Sequence, residues 1–112
     1  MGPAYQGVQA MDERKASEVA RRYVAYIKEK HPDIKKVYLF GSCAKGGFGA
    51  DSDIDLAIIF ENLSDTFEMQ VQLMKLRRKF DTRIEPHPFR ESDFDFSNPL
   101  VREILTTGRE VA

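Results

Sequence analysis

Cys43 is the only cysteine in the chain, so no internal disulfide can brace the fold, and a reducing compartment such as the cytoplasm is the natural setting. No apolar run approaches the roughly 20 residues that a membrane helix needs, and the first apolar stretch is too weak for a secretory signal. A basic excess is missing too. A net charge of −1 with 31% charged residues describes a surface of mixed sign and argues against a dedicated binder of long nucleic acid. There are no internal repeats and no low-complexity tract. What is present is a chain of 112 residues, 42% of them apolar, enough for one domain with a modest core. Such a domain buries only about two-thirds of its unfolded surface. Residues 1–11, which include Gly2, Pro3 and Gly7, read as a disordered lead or a non-native remnant, leaving 12–112 as the domain.

The hydrophobic pattern orders the elements. Ala16, Val19, Ala20, Tyr23, Val24 and Ile27 recur at the spacing of one buried helical face, predicting a helix over 12–30 that Pro32 brings to an end. Val37 to Phe40 predicts a buried strand near 36–40. Leu56-Ala57-Ile58-Ile59-Phe60 has no polar alternation, as in a central strand covered on both faces, and predicts one over 54–60. A second long helix is expected over 64–80, capped by Ser64, with Phe67, Val71, Leu73, Met74, Leu76 and Phe80 as its stripe. Arg77, Arg78 and Lys79 form its last turn, where cations suit the helix dipole and read most simply as a solvated end. A strand over 82–88 carries two prolines, which suggests an edge or an irregular end. Asn98-Pro99 opens a last helix, 99–107, with Leu100, Val101, Ile104 and Leu105 facing inward and Gly108 as its stop. The sum is an α/β (α+β) protein with a small mixed sheet flanked by helices.

The chemistry concentrates between the first two strands. Asp53 and Asp55 stand two apart at the mouth of a strand, so their side chains share a face. Two unpaired aspartates side by side repel each other, and no lysine or arginine alternates with them, so a bound cation is the simplest complement. Magnesium suits such hard oxygens; it takes one or two protein carboxylates and completes its shell with water and substrate phosphates. Before them, Gly41-Ser42 ends the first strand and leads into the glycine-rich 42–50, which offers backbone N–H groups to an anion. Gly41 allows close approach, Ser42 can donate its hydroxyl, and Lys45 can add positive charge, although a plain surface lysine reads equally well. A third acid would complete a site for two magnesium ions roughly 4 Å apart. Glu85, which shares a strand face with Arg83 and His87, is favoured; Asp81 just before it is the alternative, and Glu85 as a solvated acid paired with Arg83 is the plain one.

Gly41-Ser42, three residues, Gly46, then Asp51-Ser52-Asp53-Ile54-Asp55-Leu56 closely resembles the signature of the polymerase-beta-like nucleotidyltransferase superfamily. The likeness is good over residues 34–89 and looser over the whole chain. The short length resembles the superfamily's minimal branch, in which the protein is often the antitoxin partner of a HEPN-domain toxin. The resemblance implies that Gly41 and Ser42 hold a triphosphate, that Asp53 and Asp55 bind metal, and that the third acid binds metal and helps deprotonate the acceptor. ATP would be the substrate and a hydroxyl of a partner protein the acceptor. Many relatives carry aspartate at the third position, where this chain has the longer Glu85, and many carry a larger polar or basic residue where Cys43 stands.

Other readings of the same residues are weaker. A calcium loop opened by Asp51, Asp53 and Asp55 needs glycine and glutamate where Leu56 and Asn62 stand. A P-loop is excluded because no Gly-Lys-Ser/Thr follows Gly46. Asp53 and Asp55 as mere turn or cap residues, His31 as a helix-end residue, His87 as a bystander and Cys43 as a small filler are the plain alternatives. Two competing functions stay open: an antitoxin that neutralises by occlusion with little catalysis, and a transferase acting on a small molecule or RNA end. Self-association is compatible with either. The lack of an extra domain to hold such an acceptor favours a protein partner.

Overall fold

The computed structural model describes residues 2–41 and 53–112, with side chains from Lys15 onward. Ser42, Cys43 and Lys45 therefore lie outside the described residues. The chain runs α1 (Gly2–Lys30), β1 (Ile34–Phe40), β2 (Ile54–Phe60), α2 (Thr66–Leu76), a 3-10 turn (Arg77–Lys79), β3 (Ile84–Arg90), a second 3-10 turn (Glu91–Asp93), α3 (Pro99–Thr107) and β4 (Arg109–Glu110). The backbone of α1 begins ten residues before the expected Asp12. No helix among the described residues is long and apolar enough to cross a membrane.

The four strands form one sheet in the order β3-β2-β1-β4. β1 is antiparallel to β2 and β4, whereas β2 and β3 are parallel. The uninterrupted apolar run of β2 does sit second from one edge, and all but one of its residues are buried. One sheet face (Val37, Leu39, Ile54, Leu56, Ile58, Phe60, Ile84) packs against Tyr23, Val24 and Ile27 of α1 and Leu73 of α2. The other face (Phe40, Ala57, Ile59, with Tyr38 and Phe89) is covered by Ile104 of α3 and by Phe94. Because side chains alternate along a strand, Asp55 belongs with Ala57 on this second face, and Glu85 with His87 and Phe89.

β3 lies at the sheet edge, as its prolines indicated. Ile54 N donates to Arg83 O at 2.8 Å, which turns the odd-numbered backbone groups of β3 toward β2 and the even-numbered ones outward. Pro86 and Pro88 are therefore spared a lost ladder bond. The outward carbonyls are taken by α2 and the turn after it: Gln70 Nε2 donates to Pro86 O at 3.3 Å and Arg77 Nη1 to Ile84 O at 2.8 Å.

Several expectations need correction. The cap of α2 is Asp65, whose side chain accepts the Glu68 N–H, rather than Ser64, and the α-helical part stops at Leu76. Of the proposed stripe only Leu73 is fully buried, and Phe67 is 76% exposed. In α3 Val101 and Ile104 are buried, while Leu100 and Leu105 are partly exposed; a short helix lying on one sheet face buries a narrow strip, so the outer pair of the apolar arc reaches solvent. Asn98 caps it and Pro99 sits in its first turn, as expected.

Tyr23 ties α1 to α2. Its hydroxyl donates to Leu73 O at 2.7 Å and its ring meets Phe80 edge-on. Leu73 O also accepts the Arg77 N–H, so Tyr23→Phe leaves no orphan acceptor and should cost about 1 kcal/mol. Burial pushes the Tyr23 phenol well above its ordinary value. A pKa raised in the folded state contributes stability that is whole below the unfolded value of about 10 and is lost as pH climbs toward the folded one. Urea midpoints measured from about pH 9 to about pH 11 should therefore fall steeply for the wild type and less steeply for Tyr23→Phe; parallel curves would refute the coupling.

Candidate active site

The acids gather where β1 ends and the parallel pair β2 and β3 begins. Phe40, the last residue of β1, is the register partner of Asp55, and Asp55 is the partner of Glu85. Asp53 stands one residue before β2, exposed at the strand mouth. Four of the residues singled out in the sequence, Gly41, Asp53, Asp55 and Glu85, thus meet at one end of the sheet, two of them directly side by side.

Gly41 is the hinge of this corner. Its φ is +78°, in the left-handed region that side-chain-bearing residues avoid. A Cβ placed on it would fall into the Asp55 carboxylate. The missing side chain is what makes room for the Asp55 carboxylate beside the strand end.

Neither Asp55 nor Glu85 stands alone. His87 Nε2 lies 3.2 Å from Asp55 Oδ1, and the His87 ring tilts against Phe40 at 5.2 Å. Arg77 Nη1 lies 3.1 Å from Glu85 Oε2, with side chains 21% and 35% exposed. The partner of Glu85 is Arg77, which reaches it from α2's end around the sheet edge. Glu85 does not pair with Arg83. Arg83 instead binds Asp81 through its backbone N–H, Nε and Nη2, at 2.9, 3.1 and 2.9 Å, holding the Asp81 carboxyl below the usual range. Asp81 is thereby occupied in the turn that precedes β3.

Sequence reasoning placed His87 on the Glu85 face but weighed it mainly as a bystander, and it read Arg77 as a solvated helix end. Arg77 carried no local signal, since a basic residue at a helix end looks the same whether solvated or folded back. Beside His87 a hollow of about 320 Å³ opens, lined by Thr66, Phe67, Gln70, Pro88 and Phe89.

A small mixed sheet with an acidic pair opening its central strand and a glycine corner beside it can be compared with known proteins. Residues 23–111 match the family of the polymerase beta nucleotidyltransferases. The chain belongs to that family. Among curated proteins this nucleotidyltransferase domain is similar to the protein adenylyltransferase MntA of Shewanella oneidensis, with 23% identity over 90 residues, covering 80% of this chain. It spans 62% of that relative's length. Among solved structures it shares its fold with a toxin–antitoxin complex crystallised with AMP-PNP (TM-score 0.65, 22% identity, 82% of this chain and 72% of that one). The MntA–HpeT toxin–antitoxin complex gives a TM-score of 0.61 at 22% identity, over 80% of this chain and 68% of that one. A Sulfolobus solfataricus protein assigned as a nucleotidyltransferase gives 0.60 at 22% identity, over 74% of each chain.

The family's divalent metal fits the donors at this corner. Asp53 and Asp55 supply the hard carboxylate oxygens that such an ion takes. Among the described residues no three His, Cys, Asp or Glu side chains form a group that could hold a metal ion, so the expected three-acid set of Asp53, Asp55 and Glu85 is not assembled as one cluster.

Proposed function

We propose that this domain transfers AMP from magnesium-bound ATP to a hydroxyl group of a partner protein, a HEPN-type toxin, in the cytoplasm. The single observation that supports the reading is the register triad Phe40–Asp55–Glu85, with a left-handed glycine, Gly41, packed against the Asp55 carboxylate at the end of β1. The similarity to a protein adenylyltransferase and to toxin–antitoxin complexes points to the kind of acceptor.

In this reading Gly41 and Ser42 receive the triphosphate through backbone and hydroxyl donors, and Lys45 adds charge. Asp53, Asp55 and Glu85 would hold magnesium, which when bound would neutralise phosphate charge and favour an ionised acceptor. The acceptor oxygen attacks the α-phosphorus as the bond to pyrophosphate breaks, in line with the leaving group. With pyrophosphate leaving over the β1 corner, the acceptor comes from the β3 side, where Glu85 stands and the hollow beside His87 opens. Glu85 can take the hydroxyl proton on the carboxylate oxygen that Arg77 does not hold; that oxygen has no partner among the described residues.

Transfer is tested by incubating the domain with its co-purified native partner and α-labelled ATP, then locating the added AMP by mass spectrometry. A tight complex with no label on the partner would hand the domain to the occlusion reading. Glu85→Gln should keep most ATP affinity and lose most single-turnover transfer, and Glu85→Asp should keep part of it. A Glu85→Gln variant with wild-type turnover would reduce the site to its two aspartates.

A further inference from the structure

We propose that Arg77 is a positioning residue for transfer, fixing one oxygen of the Glu85 carboxylate so that the other is presented beside Asp55. The inference rests on the reading that Glu85 serves the reaction.

Three observations carry it. First, one nitrogen, Arg77 Nη1, donates both to Ile84 O at 2.8 Å and to Glu85 Oε2 at 3.1 Å. The Ile84 carbonyl belongs to the strand backbone immediately before Glu85, so the guanidinium is referenced to the same rigid element as the acid it holds. Second, the other end of Arg77 is anchored too. Its backbone N–H caps α2 on Leu73 O, the carbonyl that also receives the buried Tyr23 hydroxyl. Third, its neighbours do not share the role: Arg78 and Lys79 are exposed, and Lys79 Nζ bonds Tyr26 Oη at 3.0 Å on another surface.

The chemistry explains the need. Glutamate has one more side-chain torsion than aspartate and can swing its carboxylate away from a site that sits next to its backbone. A planar guanidinium accepted by both a carbonyl and a carboxylate removes that freedom, which a lysine does less well. It also offsets the repulsion between Glu85 and its register partner Asp55. Gln70 shows what a purely structural clip looks like: it binds the next outward carbonyl, Pro86 O, and touches no acid.

The test uses Arg77→Met and Arg77→Lys in the full chain, alone and combined with Glu85→Gln. Arg77→Met should lower kcat for transfer to the native partner by about tenfold to a hundredfold while the KM for ATP moves less than about twofold. Arg77→Lys should recover part of the loss. In the Glu85→Gln background Arg77→Met should cost nothing further in kcat, although it still lowers the melting temperature because the Ile84 clip is gone. Carboxyl carbon-13 NMR gives a readout independent of activity: the Glu85 signal, assigned by its loss in Glu85→Gln, should shift in Arg77→Met. Should Arg77→Met not fold, Arg77→Gln, which keeps a donor without the charge, replaces it. Unchanged kcat, additive losses in the double variant, or an unmoved Glu85 signal would each overturn the role. If the wild type labels no partner, the function proposal falls, and the Glu85 signal still decides whether Arg77 holds the acid.

Discussion

Asp55→Asn should reduce transfer by about two to three orders of magnitude and leave the melting temperature at or above that of the wild type. The two effects diverge for one reason. Asp55 is flanked by Phe40 on β1 and Glu85 on β3, and its side chain is only 25% exposed, so its charge sits close to a second carboxylate with little solvent to screen it. Removing the charge relieves that crowding, and the amide oxygen of asparagine can still meet His87. The same change removes half of the proposed two-aspartate metal ligation next to the phosphates, and loss of a preorganised charge of this kind costs on the order of a hundredfold to a thousandfold in rate. Asp53→Asn should act alike. The check is single-turnover AMP transfer together with calorimetric Mg·ATP binding: undiminished binding in the double variant would show that the metal is held elsewhere.

Gly41→Ala should lose nucleotide binding and stability together. A side chain at φ +78° costs roughly 1–2 kcal/mol in backbone strain alone. The added Cβ also enters the Asp55 carboxylate, which can yield only by swinging into the space proposed for metal and phosphate. A loss of about 2 kcal/mol in a domain of this size lowers the melting temperature by roughly 8–15 °C. Gly108 supplies the control. A Cβ there meets Ile104 O at 2.5 Å and Leu39 O at 3.1 Å, backbone on both sides and remote from the acids. Gly108→Ala should thus be destabilised yet keep the full thermal shift on adding Mg·ATP, whereas Gly41→Ala should show almost none. A normal nucleotide-induced shift in Gly41→Ala would remove this corner from the phosphate site.

The parts of this fold that announce themselves in the sequence are those whose cause is local. The five residues Leu56–Phe60, without polar alternation, read as a covered strand because a strand with two packed faces is what tolerates them, and β2 has the expected bounds. Pro86 and Pro88 read as an edge because proline cannot donate to a ladder. Asp53 and Asp55 read as a site because two like charges on one strand face need a third party. Where the cause is distant, the local pattern misleads. Phe67 fits the helical stripe, yet among the described residues it stays 76% exposed. Arg77 looks like any cation at a helix end, because its partners Ile84 and Glu85 depend on how α2 lies along β3. β4 has two residues and pairs only with Tyr38 and Leu39, too little for any periodicity to reveal.

The two rims of the sheet bear on how this protein behaves in crowded solution. An open sheet ordinarily presents a ladder of unused donors and acceptors on which a foreign strand can grow. On the β3 rim the outward positions 86 and 88 have no N–H to give, and the carbonyls of Ile84 and Pro86 are already engaged by Arg77 and Gln70. On the opposite rim β4 presents Arg109 and Glu110, both charged and exposed, and Val111 gives its N–H to Val37 O. Among the described residues both rims are thus poor templates for a foreign strand, so concentrated samples should stay free of thioflavin-positive material, and a protein that grips this domain is expected to do so through side chains rather than by extending its sheet.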